Sequence, residues 1–275
     1  SRVQDQRTAK QDAEEQEITI GTSDSNKDGR KAFNNLMYDI TFEENDPCQS
    51  LHTQFPSPSS FQIVNNPLDE LDKVALFELR DSDRISTATT TSARAEILFP
   101  HQNHNERWYA FSVFFPTSGY EKDSFTEIIS QWHQASAGSP PQAVEVINDE
   151  IVFKTIDGDS EYNSYPLAHI ERGQWHEFVF HYIHSAEQRG LIEIWYNGKK
   201  VQQFLGANIK KGYELPRFKV GIYKWKWNNG GKTDTDLRRI YYNNVKMGNE
   251  FASFEDMSSA FGRTVMAGKN GIENK

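Results

Sequence analysis

A phenol, an imidazole, an amide and several cations recur at strand spacing along the 275-residue chain. In Phe218–Trp227, a two-residue period puts Phe218, Val220 and Ile222 on one face and Lys219, Gly221, Tyr223 and Trp225 on the other. The first set wants a core. The second is a cation, a gap, a phenol and an aromatic plate in a row, suited to the floor of a sugar-binding groove. In Glu127–His133 the same period pairs Ile128 with Trp132 and sets Gln131 and His133 opposite them. In Arg94–Leu98, Ala95 and Ile97 oppose Arg94 and Glu96. A tyrosine flanked by cations can give and take a proton, because positive charge favours the phenolate. Lys219, Lys224 and Lys226 are close to Tyr223 in the chain. A plainer reading stands beside this one, since any half-solvated sheet alternates in the same way. Tyr223 could be a rim tyrosine, His133 a satisfied structural histidine, and Arg94 a partner of Glu96 or of another acid across the sheet. For each residue alone, the plainer reading is the stronger.

The elements that must hold these residues are strands. From Met37 to Phe251, short aromatic and β-branched runs alternate with Gly, Pro, Asn and Asp clusters. They include Ala75–Arg80, Arg107–Phe115, Ala143–Lys154, Trp175–His184, Leu191–Asn197 and Arg239–Met247. About ten such runs, with no long amphipathic helix, predict an all-β sandwich. Asn197-Gly198 is the clearest hairpin turn. Residues 1–35 are polar and read as a flexible leader or linker, residues 36–256 as the β domain and 257–275 as a C-terminal extension.

Composition narrows the function. The chain is 36% hydrophobic, enough for a core. Its net charge of −9 argues against a general nucleic-acid binder, which needs a basic footprint. No run of ~18 apolar residues is present, so no membrane span is expected. One cysteine, Cys48, excludes an internal disulfide and a cysteine-based zinc site. Between Lys199 and Arg239, eleven Lys and Arg face three acidic residues, so an anionic ligand could bind there although the whole is acidic. On charge alone, a solvated basic face is the stronger reading.

Several motifs in order resemble the β-jelly-roll polysaccharide lyases, the group of heparin lyase I and the glucuronan lyases. They are Ala75-Leu76-Phe77-Glu78-Leu79-Arg80-Asp81, Arg94-Ala95-Glu96, Gln131-Trp132-His133, Pro140-Pro141, Gly173-Gln174-Trp175-His176, Ile192–Lys199, Lys219–Tyr223 and Tyr241–Val245. The resemblance covers roughly Tyr38 to Asp256. It implies a β-jelly-roll sandwich of two antiparallel sheets with a concave substrate groove, and cleavage of uronate polymers by β-elimination. Such an enzyme removes the proton on C5 beside the uronate carboxylate. Neutralising that carboxylate stabilises the enolate-like transition state, while a base reaches C5 and an acid protonates the leaving O4.

By resemblance, Tyr223 is the acid and a candidate base, and His133 is the partner base or carboxylate neutraliser. Gln131 neutralises the carboxylate, and Arg94 and Lys219 line the subsite. Lys224, Trp225, Lys226, His101 and Glu96 are expected to contact substrate, and Trp227 is a further stacking candidate. No cofactor is required, and a structural calcium ion is the one metal considered. Asn243 stands where the family often has Asp, which weakens that site. Asp24–Gly29 starts like a calcium loop but has Asn35 in place of the bidentate Glu. A glycoside hydrolase would need two placed carboxylates, and the usual Glu-x-Asp-x-x-Glu signature is absent. A carbohydrate-binding module or lectin remains the alternative. The expected partner is an anionic polysaccharide, glucuronan- or ulvan-like, acted on by a secreted or periplasmic monomer.

Overall fold

The computed structural model describes residues 34–43, 47–48, 50–87, 90–157 and 161–259. The leader up to residue 33, with its Asp24–Gly29 loop, and the extension beyond Ser259 lie outside the described residues.

Two antiparallel sheets form the sandwich. One has the order β15 (Lys199–Leu205), β14 (Leu191–Tyr196), β13 (Trp175–Ile183), β8 (Glu106–Phe114), β17 (Leu237–Gly248), β4 (Asp69–Arg80) and β3 (Phe61–Asn66), with β1 (Leu36–Ile40) also paired to β17. The other runs β12 (Tyr162–His169), β11 (Glu150–Ile156), β10 (Gln142–Ile147), β9 (Glu127–His133), β16 (Arg217–Tyr223), β7 (Arg94–Leu98) and β2 (His52–Gln54). A short ribbon joins β5 (Ile85–Ser86) to β6 (Thr91–Ser92), and one helical turn, α1, covers Phe254–Met257.

The core is aromatic. Trp132 on β9 is fully buried and packs on Phe180 of the facing sheet at 4.7 Å and on Phe218 at 5.5 Å between ring centroids. Phe218, Val220 and Ile222 join it there, as do Ala95 and Ile97. The two-residue period of β7 and β16 therefore sends Arg94, Glu96, Lys219 and Tyr223 to the outer face.

Two expectations need correction. Ala143–Lys154 is not one strand but the hairpin β10–β11. Asn148 and Asp149, at φ 52° and 67°, make its turn. Against β10, β9 carries an extra residue between Ser130 and Ile128, while against β16 the extra residue is in β16, between Val220 and Tyr223. That bulge breaks the alternation. Ile129 joins Trp132 in the core, and Ile128 faces outward with Gln131 and His133. Asn197-Gly198 is a turn with both φ positive, 47° and 79°, as its sequence predicts.

Candidate functional site

Three neighbouring strands of the second sheet carry most of the polar row. Strand pairing places Tyr223 of β16 opposite Arg94 of β7 on one side and Ile128 of β9 on the other. Lys219 is paired with Gln131, and Gly221 with Glu96. Gly221 is required here. Its φ is +139°, and a Cβ would sit 2.1 Å from the Ala95 carbonyl oxygen.

Arg94, Ile128, Gln131, His133, Tyr223 and Trp225 line one cleft of about 510 Å³, with Gly138–Pro140, Glu145 and Lys154 completing it. The Arg94 guanidinium lies over the Tyr223 ring, 3.9 Å from its centroid. Asn228 donates its amide to the Tyr223 hydroxyl at 3.0 Å. Its orientation is set, because its Oδ1 accepts the Ala93 N–H at 2.9 Å. The tyrosine oxygen thus accepts one bond and keeps its own proton for the cleft.

Glu96 is buried beneath this row. Its two oxygens accept from Gln131 Nε2 at 2.5 Å and Arg94 Nη1 at 3.1 Å. Ser92 accepts from Arg94 Nε at 2.8 Å. Glu96 is therefore the anchor that holds the amide and guanidinium in place, not a groove contact. Lys219 is also buried and lies beside the cleft rather than in its wall. Burial pulls its ammonium down while Glu96 opposes that shift.

His133 has a defined tautomer. Its Nε2 donates to the Gly138 carbonyl at 3.0 Å, which leaves the lone pair on Nδ1. Burial, with Lys219, Arg94 and Lys210 nearby, pulls its pKa down to about 4. At neutral pH it is an uncharged imidazole able to take a proton. The loop that supplies Gly138 is pinned by Lys210, whose Nζ donates to Ala137 O at 2.7 Å and Ser139 O at 2.8 Å.

Other expected contacts are elsewhere. Lys224 is buried at the end of the sandwich, with its ammonium 3.1 Å from Asp123 and 3.0 Å from Glu127. Burial alone would push the Glu127 carboxyl up, but Arg238 and Lys224 hold it below the usual range. Trp227 is fully buried in the core and offers no face to a sugar. Lys226 is exposed and lies over the Phe125 ring, outside the cleft lining. His101 accompanies Leu215 and Glu214 beyond the cleft. Asn228, Glu145, Lys154 and Lys210 were not singled out from the sequence. Glu145 and Lys154 alone had a signal, as polar residues alternating with Val144, Val146 and Phe153.

A structural calcium ion does not fit near Asn243. Asn243 and Asn66 both donate amides to Asp72 Oδ2, at 3.3 and 2.7 Å, and Asn243 Oδ1 accepts the Asn244 N–H at 2.8 Å. Asp72 is the one carboxylate lining this pocket, and the Oδ1 atoms of Asn66 and Asn243 already accept from the N–H groups of Leu68, Trp175 and Asn244, whereas calcium needs several free oxygens. No group of three or more His, Cys, Asp or Glu among the described residues could hold a metal. No helix among them is long and apolar enough to cross a membrane.

A sequence model of the family described as polysaccharide lyase matches residues 21–246. No curated protein matches. Among solved structures, the chain is similar to an endo-β-1,4-glucuronan lyase from the fungus Trichoderma reesei. The TM-score is 0.65 at 18% identity, over 81% of this chain and 98% of that one. It is also similar to an alginate lyase of polysaccharide lyase family 7, at TM-score 0.52 and 14% identity, over 76% of this chain and 92% of that one. A botulinum neurotoxin C/D mosaic receptor-binding domain gives TM-score 0.51 at 10% identity, over 86% of this chain and 51% of that one. These likenesses are of fold: one sandwich architecture hosts both lyases and a receptor-binding domain.

Proposed function

The chain belongs to the polysaccharide lyase family, and on that premise we propose that it cleaves a glucuronan- or ulvan-like uronate polymer by β-elimination, leaving unsaturated uronate ends. The observation that carries this reading is the meeting of Arg94, Gln131, His133 and Tyr223 in one cleft. The uronate carboxylate sits against the Arg94 guanidinium and the free N–H of Gln131, with the Lys219 charge close behind. These donors stabilise the negative charge that builds as the C5 proton leaves. His133 Nδ1 takes that proton, and the Tyr223 hydroxyl protonates O4 as the C4–O4 bond breaks. Trp225, 39% exposed and 6.2 Å from the Tyr223 ring, stacks on a sugar face.

A two-carboxylate hydrolase fits less well. Glu96 is tied to Arg94 and Gln131, and the strand bearing Glu145 lies three steps away. Three steps span roughly 14 Å, beyond the ~9.5 Å upper spacing of inverting hydrolases. Polymers of this size are met outside the cell, which favours a secreted or periplasmic enzyme, and one chain supplies the whole cleft, as a monomer would.

The test is ultraviolet absorbance of unsaturated uronate during incubation with glucuronan, ulvan, alginate, heparin, heparan sulfate and hyaluronan. A rise on glucuronan or ulvan is expected. Silence on all six overturns the proposal.

A further inference from the structure

The far side of the cleft carries a charged pair that the reaction above does not use. Glu145 on β10 is paired with Ile128 of β9, which is paired in turn with Tyr223. Lys154 on β11 is paired with Ala143 of β10, itself paired with Gln131. Glu145 and Lys154 are therefore each two strand steps from a residue of the reacting group, roughly 10 Å. Both line the cleft. The Lys154 ammonium is 3.6 Å from Glu145 Oε1 and 4.8 Å from the Tyr162 ring centroid. Glu145 is 6% exposed, and burial raises its carboxyl, which Lys154 only partly offsets.

The two ends of the cleft thus differ in charge. At the reacting end, Arg94 and Lys219 outnumber the one carboxylate, Glu96. At the far end, Lys154 meets Glu145 in the lining, while Lys210, 5.8 Å from the Tyr162 ring centroid, has its ammonium held by the Ala137 and Ser139 carbonyls. An anion placed beside Glu145 meets a carboxylate that is already poorly solvated, and like charges there repel strongly.

We propose that Glu145 and Lys154 form an adjoining subsite that reads the charge of the neighbouring sugar, accepting an unsulfated uronate and rejecting a sulfate ester. Lys154 turns from Glu145 to the sugar carboxylate. Glu145 accepts a hydrogen bond from a sugar hydroxyl and repels sulfate in the same place. This rests on the lyase reading above, and it deepens it by choosing, of the two polymers named there, unsulfated glucuronan over sulfated ulvan.

The experiment is calorimetric binding of a matched pair of ligands, glucuronan oligosaccharides and the same oligosaccharides after chemical O-sulfation. Wild type binds the unsulfated ligand more tightly. Glu145→Gln narrows that preference by about tenfold, equivalent to one charge contact removed. Lys154→Met weakens binding of the unsulfated ligand by about tenfold, and Lys154→Arg restores most of it. A Glu145→Gln preference within about twofold of wild type overturns the inference, as does Lys154→Met binding like wild type. If Glu145→Gln does not fold, the Lys154 pair decides alone. Wild type that binds but releases no unsaturated uronate overturns the lyase reading and leaves the subsite standing. Wild type that binds neither ligand overturns both.

Discussion

The Arg94 guanidinium stacks on the Tyr223 ring at 3.9 Å, while the same tyrosine's hydroxyl accepts from Asn228 at 3.0 Å. The ring is held from its face and its oxygen from its edge. A tyrosine fixed in this way, the proton donor of the proposed mechanism, loses little freedom when substrate binds.

Tyr223→Phe keeps the ring, the guanidinium stack and the fold but removes the proton. Turnover should fall by about 10²–10⁴, the usual range for an acid–base group. Affinity measured by calorimetry on glucuronan oligosaccharides should stay close to wild type. A variant with full turnover would remove Tyr223 from the mechanism.

On the proposed mechanism, His133 sets the acid side of the pH profile. Its pKa is held at about 4 by burial and by Lys219, Arg94 and Lys210, so it stays a competent base well below neutrality. The profile of kcat/KM should fall only as pH drops through about 4. Removing one neighbouring cation, as in Lys210→Met, lets the imidazolium form more easily. The acid limb should then move up, towards the ordinary histidine value of about 6.5. A limb that stays put would place the base elsewhere.

Acid should also weaken the fold. His184, buried with its Nδ1 unpartnered, has a pKa of about 3. The unfolded chain binds protons at both His133 and His184 below about pH 6.5, and the folded chain does not until about 3–4. The histidine contribution to stability therefore declines as pH falls through that window and levels off beneath it. Urea midpoints at pH 7, 5.5 and 4.5 should decrease in that order, and His184→Gln should flatten the trend.

The Lys224 ammonium shares Glu127 with Arg238, pairs with Asp123, and also donates to the Phe125 carbonyl at 2.9 Å. Lys224→Met leaves those carboxylates short of a partner in a dry site. The loss should be about 3–5 kcal/mol, seen as a large drop in thermal midpoint. An exposed neighbour gives the contrast: Lys226→Met should change stability by less than about 0.5 kcal/mol.

What the sequence could show depended on how local the signal was. The alternation in β7 and β16 is local, so Arg94, Lys219 and Tyr223 could be set on one face from spacing alone. Ile128 could not, because the bulge near Ile129 shifts the phase of β9 and depends on its neighbours' register. Lys224 looked like a groove cation because its chain neighbours are Tyr223 and Trp225. Its burial is decided by Asp123 and Glu127, brought from a distant strand and loop. Glu145 and Lys154 alternate with apolar neighbours, but what brings them together is the Asn148-Asp149 turn that folds their run back on itself.

The order β10-β9-β16-β7 also has a meaning in time. During synthesis, Arg94, Gln131, His133, Glu145 and Lys154 emerge well before Tyr223. The strand bearing Tyr223 must then insert between β9 and β7, neither of which is its chain neighbour. Such distant pairings form slowly, because a long loop must close first. Until β16 is in place, the cleft has a gap between β9 and β7. On the proposed mechanism, catalytic competence must await the seating of β16.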